Sequence, residues 1–325
     1  MRAAISRATS LILVVLAAGC AGGAVDSSGS SVPTREGSPP NATASPTVVP
    51  AASPTVAATV SPAVAPTASP TAGISPGPQA TSTGTVGVPG TPTEWHLDLY
   101  RSQGMRFEYP DPYACTATSV QIALNFIAYD GGAVDWTPTT SYATQQDIFA
   151  YERANMTLPT WANGSDPHGT RNAINYFGWD SIKAGVYKDV SFGTFRAAAK
   201  SIVSSIARTR RPAIIFPWYG GHAQVVTGYK AHGDDPATSD NFTIEGVYLT
   251  DPLVGYTYIV YGGTSHRVDA IRPDTYVSLA TWQYGPDAVR FTDFRQTDST
   301  IRDPIDGALG KSEWFRKWVA VLALV

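Results

Sequence analysis

The sequence predicts an α+β domain in which helices come first and a mostly antiparallel sheet follows. Three observations carry this. Composition changes abruptly at Trp95: all eight tryptophans, sixteen tyrosines and eleven phenylalanines lie from there onward, so one core-forming segment of about 230 residues begins there. Apolar residues up to Arg211 recur at helical spacing. Beyond it, short β-branched and aromatic runs lie between turn residues.

The helical part holds four segments. "CTATSVQIALNFIAYDGG" places Val120, Leu124 and Ile127 on one face and stops at Gly131–Gly132. "TQQDIFAYERA" has Thr144 and Asp147 spaced as in a capping box. "GTRNAINYFG" ends at Gly178. "SFGTFRAAAKSIVSSIARTRR" is the longest amphipathic run, with arginines where the helix dipole favours cations. The strand part reads "PAIIFPW", "HAQVVTGY", "FTIEGVYLTD" and "GYTYIVY". "KWVAVLALV" closes the chain, too short to span a bilayer and expected as a buried last strand.

Before this domain the chain has two other parts. Arg2 and Arg7 precede the apolar run Leu11 to Ala18 and the small residues leading to Cys20, which reads as an export signal. "LAAGC" resembles a bacterial lipobox, which implies lipidation at Cys20 and an extracytoplasmic, membrane-anchored protein. Residues 21–93 are Pro-, Thr-, Ser- and Ala-rich and lack aromatics, so they are expected to form a disordered tether. It would reach about 45–50 Å as a coil or roughly 200 Å if extended. Residues 94–325 form the expected folded domain. The net charge of −3 argues against a nucleic-acid partner, and the lipid anchor is the expected membrane contact.

With Cys20 assigned to the lipobox, Cys115 is a lone thiol at an expected helix start. Asp111–Pro112 suits the entry. Free amides and partial positive charge at a helix N-terminus stabilise a thiolate, which predicts a lowered thiol pKa, and the same amides can hold an oxyanion. Of five histidines, His222 opens a strand after two glycines, a rigid mount for a base. His168, His232 and His266 read as loop or turn residues, and His96 as the domain edge. If "HAQVVTGY" and "FTIEGVYLTD" pair as a hairpin, Asp251 at the end of the second lies beside His222 at the start of the first. Cys115, His222 and Asp251 then have the residue types of nucleophile, base and orienter. The histidines lack metal-ligand spacing and no phosphate-binding glycine loop is present, so neither metal nor cofactor is expected.

"YACTATSVQIALNFI", "GGHAQVVTGY" and "LTDPLVG" resemble the three blocks of papain-like cysteine peptidases related to those that remove double-glycine leaders from bacteriocins (peptidase family thirty-nine and its stand-alone relatives). The resemblance covers about residues 100–285. It implies a papain-like fold and thiol hydrolysis of a peptide or amide bond, with Cys115 as nucleophile, His222 as base and Asp251 as orienter. Three features depart from the family. Thr116 stands where Gly usually follows the nucleophile. Tyr109 stands where an oxyanion-hole Gln is common, leaving Gln103 as the nearest upstream candidate. The leader-processing members are fused to a transporter, and the sequence shows no membrane-spanning or nucleotide-binding segment, so leader processing is not implied. Two other readings stay open: a catalytically inactive module binding peptide or glycan, with Trp161, Trp179, Trp218 and Trp282 as candidate groove aromatics, and an amidase acting on cell-wall peptides.

Overall fold

The computed structural model describes residues 93–108, 113–132, 135–158, 164–178, 186–261, 264–302 and 309–324. The export signal, Cys20, residues 21–92 of the tether, Tyr109, Asp111–Pro112, Trp161 and Trp179 lie outside these residues.

Strand β1 (Glu94–Asp98) is followed by a 3₁₀ turn (Ser102–Gly104) and three helices, α1 (Cys115–Tyr129), α2 (Tyr142–Ala154) and α3 (Pro167–Phe177). Then come β2 (Val186–Phe192), α4 (Phe195–Thr209), β3 (Ala213–Ile215), a second 3₁₀ turn (Trp218–Gly220), β4 (Gln224–Gly233) and β5 (Phe242–Thr250). Strands β6 (Tyr256–Tyr261) and β7 (Thr264–Asp269) form a separate hairpin. Strand β8 (Thr275–Ser278), helix α5 (Leu279–Tyr284), the β9 (Thr297–Arg302)–β10 (Leu309–Lys311) pair and β11 (Trp318–Leu324) complete the described chain.

The main sheet has seven strands in the order β2-β11-β3-β4-β5-β8, with β1 added to β4. Each of its pairings is antiparallel. The fold is therefore α+β with an antiparallel sheet. Helices cover both faces. Val319, Val321 and Ala323 of β11 pack with Val120 and Leu124 of α1 and Ile174 of α3, whereas Ala320 and Leu322 pack with Ile202 and Ile206 of α4. Burial on both faces is why β11 reads as an unbroken apolar run rather than an alternating one.

Local signals set most helix ends. Asp166 caps α3 by accepting from the Gly169 amide at 2.8 Å, with Pro167 in the first turn, and Thr194 caps α4. Helix α2 corrects an expectation. It starts at Tyr142, so Thr144 lies inside its first turn and no capping box forms; Ser141 occupies the cap position without a side-chain cap bond. His168 lies in α3, His232 in β4 and His266 in β7, so none of these three is a loop or turn residue.

The β4–β5 hairpin spans Val225↔Thr250 to Gly233↔Phe242. Strand β1 crosses close to β4 at Gly228, where a Cβ would fall 2.1 Å from the Leu97 carbonyl oxygen. Only glycine admits that approach.

Candidate active site

Three segments supply the site: the start of α1, the turn before β4 and the end of β5. The turn at residues 218–221 is unusual. Trp218 and Tyr219 both have positive φ, 55° and 57°, a conformation that bulky residues adopt only when their surroundings impose it. Those surroundings are visible. The Tyr219 amide donates to Thr292 Oγ1 at 2.6 Å, and the Tyr219 carbonyl accepts from the Arg295 amide at 2.9 Å. Gly220 at φ 85° packs where a Cβ would meet the Phe294 ring at 2.5 Å. His222 follows directly, two residues before β4 begins, so it sits in the turn rather than opening the strand.

The His222 ring is buried and fixed on two sides. Its Nε2 lies 2.8 Å from Asp251 Oδ1. The Trp218 indole stacks on it with 4.0 Å between centroids and 17° between planes, and the indole N–H donates to the Asp287 carbonyl at 2.8 Å. A carboxylate only accepts, so in the neutral ring Nε2 carries the proton and Nδ1 holds the lone pair. Asp251 is fully buried and receives two further bonds. The Leu253 amide donates to Oδ1 at 2.8 Å, and Gln224 Nε2 donates to Oδ2 at 2.8 Å. Gln224 Nε2 also reaches the Ala288 carbonyl at 2.9 Å.

Cys115 is the first residue of α1 and is partly buried. The Ala223 backbone N–H donates to its sulfur, so the His222–Ala223 peptide lies against the thiol. The N-cap residue of α1, Ala114, makes no side-chain cap bond. The Ala223 bond to the sulfur and the His222–Asp251 pair thus bring Cys115, His222 and Asp251 into one neighbourhood.

Two expectations need correction. Burial, with the charges of Glu108, Glu152 and Asp251, pushes the Cys115 thiol well above its usual pKa, against the lowering bond from Ala223. A helix start alone does not depress a thiol surrounded by carboxyl groups. The resting residue at neutral pH is therefore a thiol, whose proton a base must take. Gln103 does not face it. The residue lies exposed in the first 3₁₀ turn, whose Gly104 carbonyl accepts from Asn125 Nδ2 at 2.9 Å. Asn125 is ten residues along α1, roughly 15 Å from its start. Glu108 is the described upstream residue whose charge acts on the thiol; its amide donates to the Pro252 carbonyl at 2.8 Å and its side chain is buried.

Sequence reasoning also missed Gln224, Trp218 and Glu152 as parts of the site. Gln224 was legible as sharing a face with His222 by alternation. Trp218 was not, because its contact depends on the positive-φ turn; it is a buried partner of His222 rather than a groove aromatic, and Trp282 is fully buried in the core. Glu152 on α2 is fully buried, accepts from the hydroxyl of Thr116 at 2.6 Å, and is raised by burial to about 8.

Away from this site His168, Asp189 and Glu313 place one ligand-type atom each within 4.8 Å of one another. Asp189 is already held by His168 Nδ1 at 2.7 Å and Arg171 at 2.9 Å. That arrangement acts as an ion-pair staple between α3 and β2.

Compared with known proteins, the chain matches no family model, no curated protein and no solved structure.

Proposed function

We propose that this protein is a thiol hydrolase of papain-like type that cleaves a peptide or amide bond through an acyl-enzyme. The observation that carries the proposal is the Asp251–His222 pair set beside the Cys115 sulfur by the Ala223 amide. Three segments thus bring together the residue types that a nucleophile, base and orienter require, which supports this reading.

In this reading His222 Nδ1 takes the thiol proton as sulfur attacks the carbonyl carbon. The carbonyl electron pair moves onto oxygen, which the amides at the start of α1 stabilise. Collapse of this intermediate breaks the C–N bond, and His222 returns the proton to the leaving amine. Water then gives a proton to His222, its oxygen attacks the thioester, and the acid leaves as the thiol re-forms. Asp251 holds the ring in the productive tautomer and meets the imidazolium charge. The lipobox resemblance supports an extracytoplasmic setting for this chemistry, with peptides, proteins or cell-wall peptides as candidate substrates.

The test is to incubate the full chain separately with a peptide library and with muropeptides, and to follow products and intact mass. Cleavage with a Cys115-linked acyl adduct, both lost in Cys115→Ala, is expected. The muropeptide arm distinguishes a cell-wall amidase from a peptidase. A second reading, a binding module without catalysis, is favoured by the raised thiol pKa and by Tyr109 standing where the sequence resemblance expects a glutamine. It requires binding without any adduct.

A further inference from the structure

Glu152 is a fully buried carboxyl group that the proposed reaction does not use. It lies on α2, and its Oε2 accepts from the Thr116 hydroxyl at 2.6 Å. Thr116 follows Cys115 directly and is buried in the first turn of α1. The rest of α1 is gripped separately. Gln121 Nε2 donates to the Thr139 and Ser141 carbonyls at 3.0 and 3.1 Å. Asn125 Nδ2 donates to the Gly104 and Thr139 carbonyls at 2.9 and 2.8 Å. Those bonds hold the helix further along its length. The Thr116–Glu152 bond instead ties its first turn to α2, and the first turn carries both the sulfur and the amides that have no partner within the helix.

We propose that Glu152 is a positioning residue for acyl transfer: acting through the Thr116 hydroxyl, it fixes the first turn of α1 so that the amides there meet the oxyanion formed when Cys115 attacks a carbonyl. This inference rests on the thiol-hydrolase reading and adds a supporting residue to it. The state of the carboxyl group suits the role. Burial raises it to about 8, so at neutral pH it accepts the Thr116 bond as an uncharged acid and sets no negative charge behind the oxyanion. Asp166, at the start of α3, is the other carboxyl group that acts on it. Asp166 is itself held by the amides of Thr157, Leu158 and Gly169. On α1 the titratable group that Glu152 acts on is Cys115.

The test compares two reagents on the full chain. p-Nitrophenyl acetate is attacked at its carbonyl carbon: an oxyanion forms, then the C–O bond breaks to leave an acetyl thioester on Cys115 and p-nitrophenolate, with the thiol proton going to base. Iodoacetamide is attacked at its methylene carbon: a C–S bond forms and iodide leaves, with no oxyanion. Each variant is scored by its acylation rate divided by its alkylation rate, relative to the parent, so that thiolate content and folded fraction cancel. Thr116→Val keeps the shape and removes the hydroxyl, and its ratio should fall about tenfold at pH 7. Thr116→Ser keeps the donor and Glu152→Gln a neutral acceptor, so both should stay within about threefold of the parent. A bond that serves the fold alone would lower the melting temperature and leave the ratio where it was. That result in Thr116→Val overturns the proposal, as does a Thr116→Ser ratio that falls equally far. The pH profile of the ratio decides even where Thr116→Val fails to fold. Above about pH 8 the parent gains a carboxylate behind the oxyanion and its ratio should drop, whereas that of Glu152→Gln should stay level. Coincident profiles overturn the proposal as well. A folded parent that p-nitrophenyl acetate does not acetylate at Cys115 contradicts the thiol-hydrolase reading itself, a result separate from an acylating parent whose ratio Thr116→Val leaves unmoved.

Discussion

The indole of Trp218 lies parallel to the imidazole of His222 at 4.0 Å, and the backbone of Trp218 takes φ 55° to put it there. Stacking on one face and Asp251 at Nε2 together leave the ring a single orientation, with Nδ1 as its free lone pair. Leu253, shortly before β6, and Val268, on β7, cluster with the same Trp218, so the base is backed by a small apolar cluster.

Replacing Trp218 by Ala should therefore loosen the ring. Aromatic pairs contribute about 0.5–1.5 kcal/mol beyond burial, so the rate of Cys115 alkylation should fall about tenfold. Trp218→Phe keeps a stacking face and should stay within about threefold of the parent. Stopped labelling followed by intact mass measures both.

Gln224 should matter through Asp251. Gln224→Met removes the donor to Oδ2 and leaves a buried carboxylate oxygen short of a partner, at a cost of about 1–3 kcal/mol. The variant should react at least about tenfold more slowly at pH 7, and the midpoint of its pH–rate profile should move. A loss of stability with an unmoved profile would assign Gln224 to the fold alone.

Glu152 gives a pH-dependent prediction with a definite sign. Its pKa in the folded protein is about 8, above the ordinary value of a glutamate, so the folded state holds a proton that the unfolded chain releases. Stability from this group is full below about pH 4 and is lost as pH rises toward 8. Glu152→Gln keeps the neutral shape and removes the loss. Its melting temperature should exceed the parent's by on the order of 5 °C at pH 8 and match it near pH 4. His168, raised by its bond to Asp189, adds a slope of the same sign above about pH 6.5, so the comparison is made against the parent at each pH.

Gly228→Ala should weaken the attachment of β1. The added Cβ meets the Leu97 carbonyl oxygen at 2.1 Å, and that backbone is held in register with Tyr229. A loss of about 2 kcal/mol or more is expected from such overpacking, read from the urea midpoint.

Much of this was legible in the chain. The helix from Cys115 and the last strand had clear periodic or continuous apolar signals, and β4 and β5 could be paired from their ends, which placed Asp251 by His222 before any coordinates. What was not legible depended on contacts between distant segments. The Cys115 thiol is raised first by burial among these segments, then by Glu108, whose amide bonds the Pro252 carbonyl, and by Glu152 on another helix, so the helix start alone gives the wrong sign. The 218–221 turn is imposed by Thr292, Phe294 and Arg295, none of which announces that role. Gln103 was a candidate by sequence distance only, and the 3₁₀ turn carries it along α1 instead of toward its start.

The most direct test of Cys115–His222 chemistry is the pH profile of Cys115 alkylation by iodoacetamide in the parent and in His222→Ala. If His222 takes the thiol proton, the parent should label down to about pH 6 and at least about tenfold faster than the variant at pH 7, while the variant reacts only at alkaline pH, as an isolated buried thiol does. Superimposable profiles would contradict it.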